Sequence, residues 1–154
     1  MFCARRYLKL RYLVDRGCKF IGHGLKKDFR IINIYVPPEQ ILDTVDIYYL
    51  KRQRKLALRF LSACLLDVDI QKETHCSIED AKTALALYEK ACELKRTGLF
   101  QKTLHEVYSL GRHHQWQIPT AGMSLAARLR EGTSVDHSVP VVAAENKERP
   151  KARK

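Results

Sequence analysis

One strand–helix–strand pattern in residues 18–45 constrains the fold of this chain more than any other feature of its sequence. Residues 18–23 are typical of a short buried strand, and residues 25–35 are typical of a helix that ends before a Pro-Pro pair. Residues 41–45 are typical of a second short strand. Two strands of one sheet that are joined through a helix pair in parallel, with a right-handed crossover. The sequence therefore predicts an α/β fold around a parallel pair of strands.

Further segments with helical periodicity make the predicted fold helix-rich. These segments are residues 5–16, 56–66, 77–95 and 100–116. In the helix of residues 25–35, we expect Leu25, Phe29 and Ile32 to face inward. The expected core positions of two other helices are Leu58, Leu61, Leu65, Ala84, Leu85 and Leu87.

The chain divides into one predicted domain, residues 1–119, and a predicted disordered basic tail, residues 120–154. The tail has no sustained periodicity and ends in charge and proline. The whole chain has a net charge of +11, of which residues 1–127 keep +8. This balance favours polyanionic partners and disfavours acidic ones. A basic domain can also be merely soluble, so the charge supports nucleic-acid binding without establishing it.

The composition argues against a membrane protein and against a disulfide framework. No run approaches the ~18 apolar residues of a membrane span, and the N-terminus lacks the apolar core of a signal peptide. The five cysteines are odd in number and widely spaced, and they form no C-x-x-C pair. Such cysteines are typical of reduced thiols. We therefore expect a cytosolic or nuclear chain with no membrane partner.

His75 and Asp80 flank the predicted start of the long helix, and they are residue types that metal-assisted hydrolysis uses. A neutral imidazole can take a proton from water, and a carboxylate one turn into a helix can hold a divalent cation. A structural interpretation also fits. Ser77 as N-cap and Asp80 in the first turn resemble a capping box, and His75 can be an ordinary loop residue. The spacing alone leaves both interpretations open.

Asp28 is a second candidate, in the first turns of the helix that follows the glycine turn of residues 22–24. Hydrolysis of a phosphodiester by a metal-activated water needs its acidic and basic groups on one side of a cleft. The alternative for Asp28 is a solvated carboxylate on a polar helix face, beside Lys26 and Lys27.

Together the two segments resemble the second and third motifs of the DEDD 3′–5′ exonucleases, in the histidine-containing branch. The second motif carries an aspartate after a strand-to-helix turn, and the third carries His-x-x-x-x-Asp. The resemblance covers roughly residues 7–119 and rests on "KFIGHGLKKDFRIINIYVPPEQILDTVDIYYL", "RQRKLALRFLSACLL" and "THCSIEDAKTALALYEK". The "VPPEQILDTVD" stretch is most similar to the nuclease domains of poly(A)-nuclease deadenylation complexes. The shorter RNA exonucleases of the same superfamily share "GH…DF" and "H-x-S-x-E-D-A" and remain the alternative.

The resemblance implies a ribonuclease-H-like fold and two Mg²⁺ ions that clamp the attacking water and the leaving oxygen. It makes Asp28 and Asp80 metal ligands and catalytic residues, and it makes His75 the general base. Cys76 departs from the acidic residue expected at its position, which is not a ligand in the family. The implied function is 3′–5′ poly(A)-specific exoribonuclease activity in mRNA deadenylation, with release of 5′-AMP. The implied partners are the poly(A) tails of mRNA and the regulatory subunit of the complex, in the cytoplasm.

The first motif of the family, Asp-x-Glu on an early strand, has no counterpart before Phe20. Asp67-Val68-Asp69 is the nearest lookalike, but it lies between the second and third motifs. The chain therefore resembles an incomplete domain whose first strands are missing, and we expect little or no activity from these residues alone. The alternative to a nuclease is a non-catalytic remnant that binds RNA or a partner protein through its basic surface.

Several residues are expected to contact nucleic acid. The basic run of residues 51–55 can meet RNA phosphates or act as a nuclear-import signal, although a solvated loop is the simplest interpretation. Tyr48 or Tyr49 could stack on a base, but tyrosines near a strand end are more often packed. The full set of expected nucleic-acid-binding residues is His23, Gly24, Lys27, Arg52 and Arg54.

Overall fold

The computed structural model describes residues 2–70, 76–118 and 125. The described elements, in chain order, are α1 (Phe2–Asp15), β1 (Phe20–Gly22), α2 (Leu25–Ile32), a 3₁₀ turn (Pro38–Gln40), β2 (Ile41–Asp43), α3 (Thr44–Ile47), α4 (Leu58–Leu65), α5 (Ser77–Arg96) and α6 (Phe100–His113). Helices predominate, as the sequence predicted, and the short α3 was not foreseen.

The predicted parallel pair is confirmed. β1 pairs with β2 in parallel, and the register places Phe20 opposite Ile41 and Gly22 opposite Asp43. Each strand has three residues, fewer than the sequence pattern indicated. The second strand ends early because the side chain of Asp43 accepts a hydrogen bond from the backbone N–H of Val45 at 3.0 Å and so begins α3. The structure therefore confirms the α/β class with a small sheet.

The helix after the glycine turn is shorter than predicted. α2 ends at Ile32 because Asn33 is left-handed, with φ of 57°, and its N–H bonds back to the carbonyls of Arg30 and Phe29. The chain then turns, and Ile34 takes the buried position. The expectation that Ile32 faces inward is wrong, since 45% of its surface is exposed. The end of the helix thus precedes the Pro-Pro pair by several residues.

The main core lies between α4, α5 and α6. Its members include five of the six predicted positions: Leu58, Leu61, Leu65, Ala84 and Leu87. Leu85 is wrongly predicted, because 43% of its surface is exposed. The buried stripe of α5 contains Ala84, Leu87, Ala91 and Leu94. These positions recur every three or four residues and so share one face of the helix. Leu85 lies about 100° around the helix from Ala84 and therefore falls outside this face.

Two tyrosines connect this core to the segment that follows α3. The Tyr48 hydroxyl donates to the carbonyl of Leu87 at 2.8 Å, and burial raises the pKa of this tyrosine. The Tyr108 hydroxyl donates to the carbonyl of Arg54 at 2.8 Å and accepts from the N–H of Leu50 at 3.2 Å. Tyr48 is therefore a packed residue, whereas Tyr49 is exposed.

The end of α6 is fixed by Trp116. The helix was predicted to continue to this residue, but it ends at His113 because Gln115 and Trp116 have φ of 51° and 64°. The N–H of Trp116 bonds back to the carbonyl of Gly111 at 2.7 Å. A Cβ on Gly111 would lie 2.3 Å from the indole ring, so this turn requires glycine there.

A smaller apolar cluster contacts both strands of the sheet through Phe20 and Ile41. It joins Val14 of α1 to Phe29, Ile34 and Val36. The ring of Phe20 meets that of Phe29 edge-on at 5.6 Å. α1 therefore packs on the β1–α2 unit through one end, while Leu8 and Tyr12 remain exposed.

The start of α5 differs in detail from the expected capping box. Ser77 is the first helical residue, and the N-cap position belongs to Cys76, which makes no side-chain capping bond. The prediction of Ser77 as N-cap is therefore wrong. Glu79 and Asp80 still lie in the first turn, where the helix dipole favours negative charge.

Three other expectations concern the rest of the chain. Among the cysteines with described side chains, Cys18, Cys64, Cys76 and Cys92 are free thiols. Within the described residues, no helix is both long and apolar enough to cross a membrane. In the predicted tail, the structure describes Leu125 alone, which is buried in the main core. The remainder of residues 120–154 lies outside the described residues.

The packing predicts that truncating two leucines on α5 lowers the free energy of unfolding by unequal amounts. Leu87→Ala should lower the free energy of unfolding by about 2–5 kcal/mol, because it opens a cavity in the main core. Leu85→Ala should lower it by less than about 1 kcal/mol, because this side chain is largely solvated. Urea unfolding followed by circular dichroism measures both values. Equal losses for the two variants would contradict the assigned face of α5.

Candidate metal and nucleic-acid site

The turn between β1 and α2 carries the first candidate ligand. β1 ends at the buried Gly22, the chain turns through Gly24 with φ of 86°, and α2 begins at Leu25. A left-handed turn of this kind suits glycine, which has no Cβ to clash. Asp28 lies in the first turn of α2, and its side chain is exposed. The turn therefore projects a carboxylate from the carboxyl end of β1.

The start of α2 is held by a residue from the neighbouring strand. The carboxylate of Asp43 accepts the N–H of Gly24 on Oδ1 at 2.8 Å and the N–H of Leu25 on Oδ2 at 2.9 Å. Oδ1 also accepts the N–H of Val45, the bond that begins α3. One buried carboxylate thus satisfies the first backbone donors of two helices, which would otherwise lack partners.

Thr44 fixes the other side of the same turn. Its hydroxyl donates to the carbonyl of Gly22 at 2.9 Å and lies 2.8 Å from Nδ1 of His23. The backbone and the imidazole of the turn both contact Thr44, the first residue of α3.

His23 is enclosed by the residues around the turn. Burial lowers the pKa of this imidazole below its ordinary value of 6.5. Three influences act in the opposite direction and raise the pKa: the charge of Asp43, a hydrogen bond to the backbone of Leu56, and the charge of Asp80. Burial outweighs them, so His23 is neutral near pH 7.

Asp80 approaches the same end of β1 from a different helix. It is half-buried in the first turn of α5, which packs against β1. Its charge acts on His23 and raises the pKa of that imidazole. The convergence of Asp28, Asp80 and His75 on one cleft remains a prediction, because His75 lies outside the described residues.

Carboxylates such as those of Asp28 and Asp80 are oxygen ligands of the kind that a hard divalent cation takes. Mg²⁺ takes oxygen ligands and usually keeps several waters when one or two carboxylates bind it. Asp28 is exposed and Asp80 is half-buried, so both can reach solvent. In residues 2–70, 76–118 and 125, no group of three or more His, Cys, Asp and Glu side chains forms a metal cage.

The residues predicted to contact nucleic acid differ in exposure and in the contacts that they already make. Lys27 and Arg52 are exposed, and Arg52 sits in a left-handed turn with φ of 66°. The guanidinium of Arg54 lies 4.7 Å from the centre of the Trp116 ring, so it already makes a cation–π contact. The N–H of Gly24 is bonded to Asp43 and cannot also donate to a phosphate.

Other basic residues near the turn are paired. The carboxylate of Asp46 pairs with Lys26 of α2 at 2.7 Å and with Lys55, in the loop between α3 and α4, at 3.8 Å. The hydrogen bond to Asp46 raises the pKa of Lys26. Both pairs are exposed, so they contribute little to stability. They do connect α2 to the basic loop of residues 51–55.

Sequence reasoning missed Asp43 and Thr44, the residues that organise the site. An Asp-Thr pair directly before a short helix is an N-cap pattern, and this pattern could have identified Asp43. Its bonds to Gly24 and Leu25 join residues 19 and 18 positions apart. No local pattern contains such a contact, which depends on the register of the strands.

Comparisons with known proteins identify relatives of this chain. Residues 4–88 match the family model described as "Exonuclease". The human PAN2-PAN3 deadenylation complex catalytic subunit PAN2 is 53% identical over 117 residues, which are 73% of this chain and 10% of that protein. The corresponding catalytic subunit of Schizosaccharomyces pombe is 55% identical over 124 residues, which are 79% of this chain and 11% of that protein. The chain spans about a tenth of the length of these curated relatives.

Solved structures show the same likeness. The Neurospora crassa Pan2 catalytic unit, with protease and nuclease domains, has a TM-score of 0.67 and 50% identity, over 69% of this chain and 18% of that one. A Saccharomyces cerevisiae Pan2 pseudoubiquitin hydrolase–RNA exonuclease module in complex with A7 RNA has a TM-score of 0.71 and 48% identity. That match covers 73% of this chain and 19% of the module.

The lowered pKa of His23 predicts a pH dependence of stability. The unfolded chain binds this proton more readily than the folded one, so the contribution is full above pH 6.5 and is lost as the pH falls. His23→Gln should flatten the dependence of unfolding free energy on pH between about 7.5 and 5.5. Urea unfolding across this range measures it, with the exposed His105→Gln as control. An unchanged slope in His23→Gln would contradict the assigned cause.

Proposed function

Since the chain belongs to the exonuclease family, we propose that it is part of a 3′–5′ exoribonuclease that removes poly(A) from messenger RNA. The family depends on divalent metal ions, and Mg²⁺ is the ion we propose. The observation that carries the proposal is the position of Asp28 and Asp80. Asp28 lies in the first turn of α2, the helix that follows β1, and Asp80 lies in the first turn of α5, which packs against β1.

The poly(A) substrate is proposed from the relatives. Those of human and Schizosaccharomyces pombe are catalytic subunits of a deadenylation complex, and a Saccharomyces cerevisiae module has been solved with A7 RNA. The same resemblance supports a regulatory subunit of such a complex as partner, and the cytoplasm as compartment. The surface of the described body, with exposed Lys27 and Arg52, suits an RNA backbone.

The proposed chemistry assigns one role to each candidate residue. Asp28 and Asp80 would hold Mg²⁺, which when bound polarises the phosphate and activates a water molecule. His75 would take the proton from the attacking water, since a neutral imidazole is an effective base near pH 7. The neutral His23 would line the pocket beside these groups without adding positive charge. Lys27 would neutralise a nearby phosphate oxygen.

A second candidate function is RNA binding without catalysis. The 154 residues contain no Asp-x-Glu pair, so two of the carboxylates that the family uses to hold metal are not among them. A basic chain without them can still bind a polyanion, and its affinity should fall steeply as salt rises. Activity separates the two functions, because binding alone leaves the RNA intact.

The nuclease assignment predicts a difference between the chain alone and a chimera. The 154-residue chain should show little or no turnover of labelled poly(A) with Mg²⁺. A chimera that adds the preceding nuclease-domain residues of the Schizosaccharomyces pombe relative should release 5′-AMP from the 3′ end. In the chimera, His75→Ala should reduce the rate by ~10²–10⁴-fold, the usual contribution of a general base. Asp80→Asn should reduce it further, because a metal ligand is lost.

Glu79→Gln is the matched control, since it removes the neighbouring exposed carboxylate of the same helical turn. This variant should retain the activity of the chimera. Processive 3′–5′ shortening by the chain alone would show that the missing motif has been misjudged. An active Asp80→Asn chimera would contradict the proposed role of this carboxylate.

A further inference from the structure

We propose that Asp43 and Thr44 form a positioning device that holds the turn of residues 22–25 and thereby fixes Asp28 and His23 in the candidate site. The inference rests on the proposed function for its purpose, but its geometry stands on the described contacts. Neither residue belongs to the three motifs that carry the chemistry. They act through the backbone of the turn, so they are positioning residues and not catalytic ones.

The carboxylate of Asp43 is used completely by backbone donors. Only 5% of the residue is exposed. Oδ1 accepts from Gly24 and Val45, and Oδ2 accepts from Leu25. An asparagine in this place has one acceptor oxygen, so its NH₂ group would face at least one N–H. The site therefore requires an aspartate and discriminates against its closest analogue in shape.

Asp43 can affect the position of Asp28 because α2 is short and its first turn carries Asp28. The helix has eight residues, and Gly24 at its N-cap position provides no side-chain cap. Asp43 supplies this cap from another element, and Asp28 lies three residues after Leu25, within the same turn. Release of the first N–H groups would therefore allow the turn that carries Asp28 to fray.

Thr44 completes the device from the next position along the chain. The residue is fully buried, and its hydroxyl joins the Gly22 carbonyl to the His23 ring. The strand register aligns Gly22 with Asp43, so the two consecutive side chains reach the two sides of one turn. A single dipeptide of β2 and α3 thus holds both the backbone and the imidazole of the site.

Amide hydrogen exchange on the full 154-residue chain tests the device directly. Asp43→Asn should accelerate exchange in the first turn of α2, including Leu25, by ~10–100-fold, since a lost charged hydrogen bond has an effect of this order. Amides in α6 should accelerate much less. Glu39→Gln is the matched control, because it removes an exposed carboxylate four positions away. It should leave the first turn of α2 unchanged.

Acceleration by the same factor throughout the chain would overturn the proposal, because it would show only a general loss of stability. Unchanged exchange at Leu25 would overturn it as well. If Asp43→Asn fails to fold, Thr44→Val and Thr44→Ser replace it. The valine should release the His23 ring and shift its imidazole resonances, and the serine should restore them. Equal spectra for these two variants would count against the role of the hydroxyl.

Metal affinity tests the purpose of the device. Free Mn²⁺, followed by electron paramagnetic resonance, gives the affinity of the chain and its variants. Asp43→Asn should weaken Mn²⁺ binding at least ~5-fold in the wild-type background and have no further effect in Asp28→Asn. Equal weakening in both backgrounds would show that Asp43 does not act through Asp28. A wild-type chain that binds no Mn²⁺ would contradict the proposed metal site, while the exchange experiment would still decide whether the device exists.

Discussion

The parallel pairing of β1 with β2, in which Gly22 lies opposite Asp43, is the constraint on which the candidate site depends. This register lets Asp43 reach the first N–H groups of α2 and lets Thr44 reach the carbonyl of Gly22. A slip by one residue would point the carboxylate to the opposite face of the sheet. The turn that carries His23 and leads to Asp28 would then lose its anchors.

So small a sheet cannot provide its own stability, since two strands are marginal by themselves. The packing of α5 against β1 links the sheet to the main core, and the first turn of this helix carries Asp80, whose charge acts on His23. The main core also contacts the basic loop of residues 51–55, because the hydroxyl of Tyr108 bonds to the backbone of Leu50 and Arg54. The helices thus stabilise the domain and also place the polar groups that surround the turn.

The sequence predicted those features that local patterns determine. Periodicity identified the strands and long helices, and the family motifs identified Asp28 and Asp80 as candidates. The sequence-based predictions failed where tertiary contacts determine which residues are buried. Ile32 is exposed because a left-handed Asn33 ends the helix, and Leu85 is exposed because the stripe of α5 faces another way. Asp43 was missed because its partners lie on another element.

The proposed function requires that Asp28 and Asp80 share one divalent-metal site. Titration of the ¹⁵N-labelled chain with Mn²⁺ tests it most directly, because the ion broadens the amide resonances near its site. We expect broadening around Asp28 and around Asp80 over the same range of Mn²⁺ concentration, and a loss of both effects in Asp80→Asn. Broadening around one aspartate alone, or around both in Asp80→Asn with undiminished affinity, would contradict the shared site.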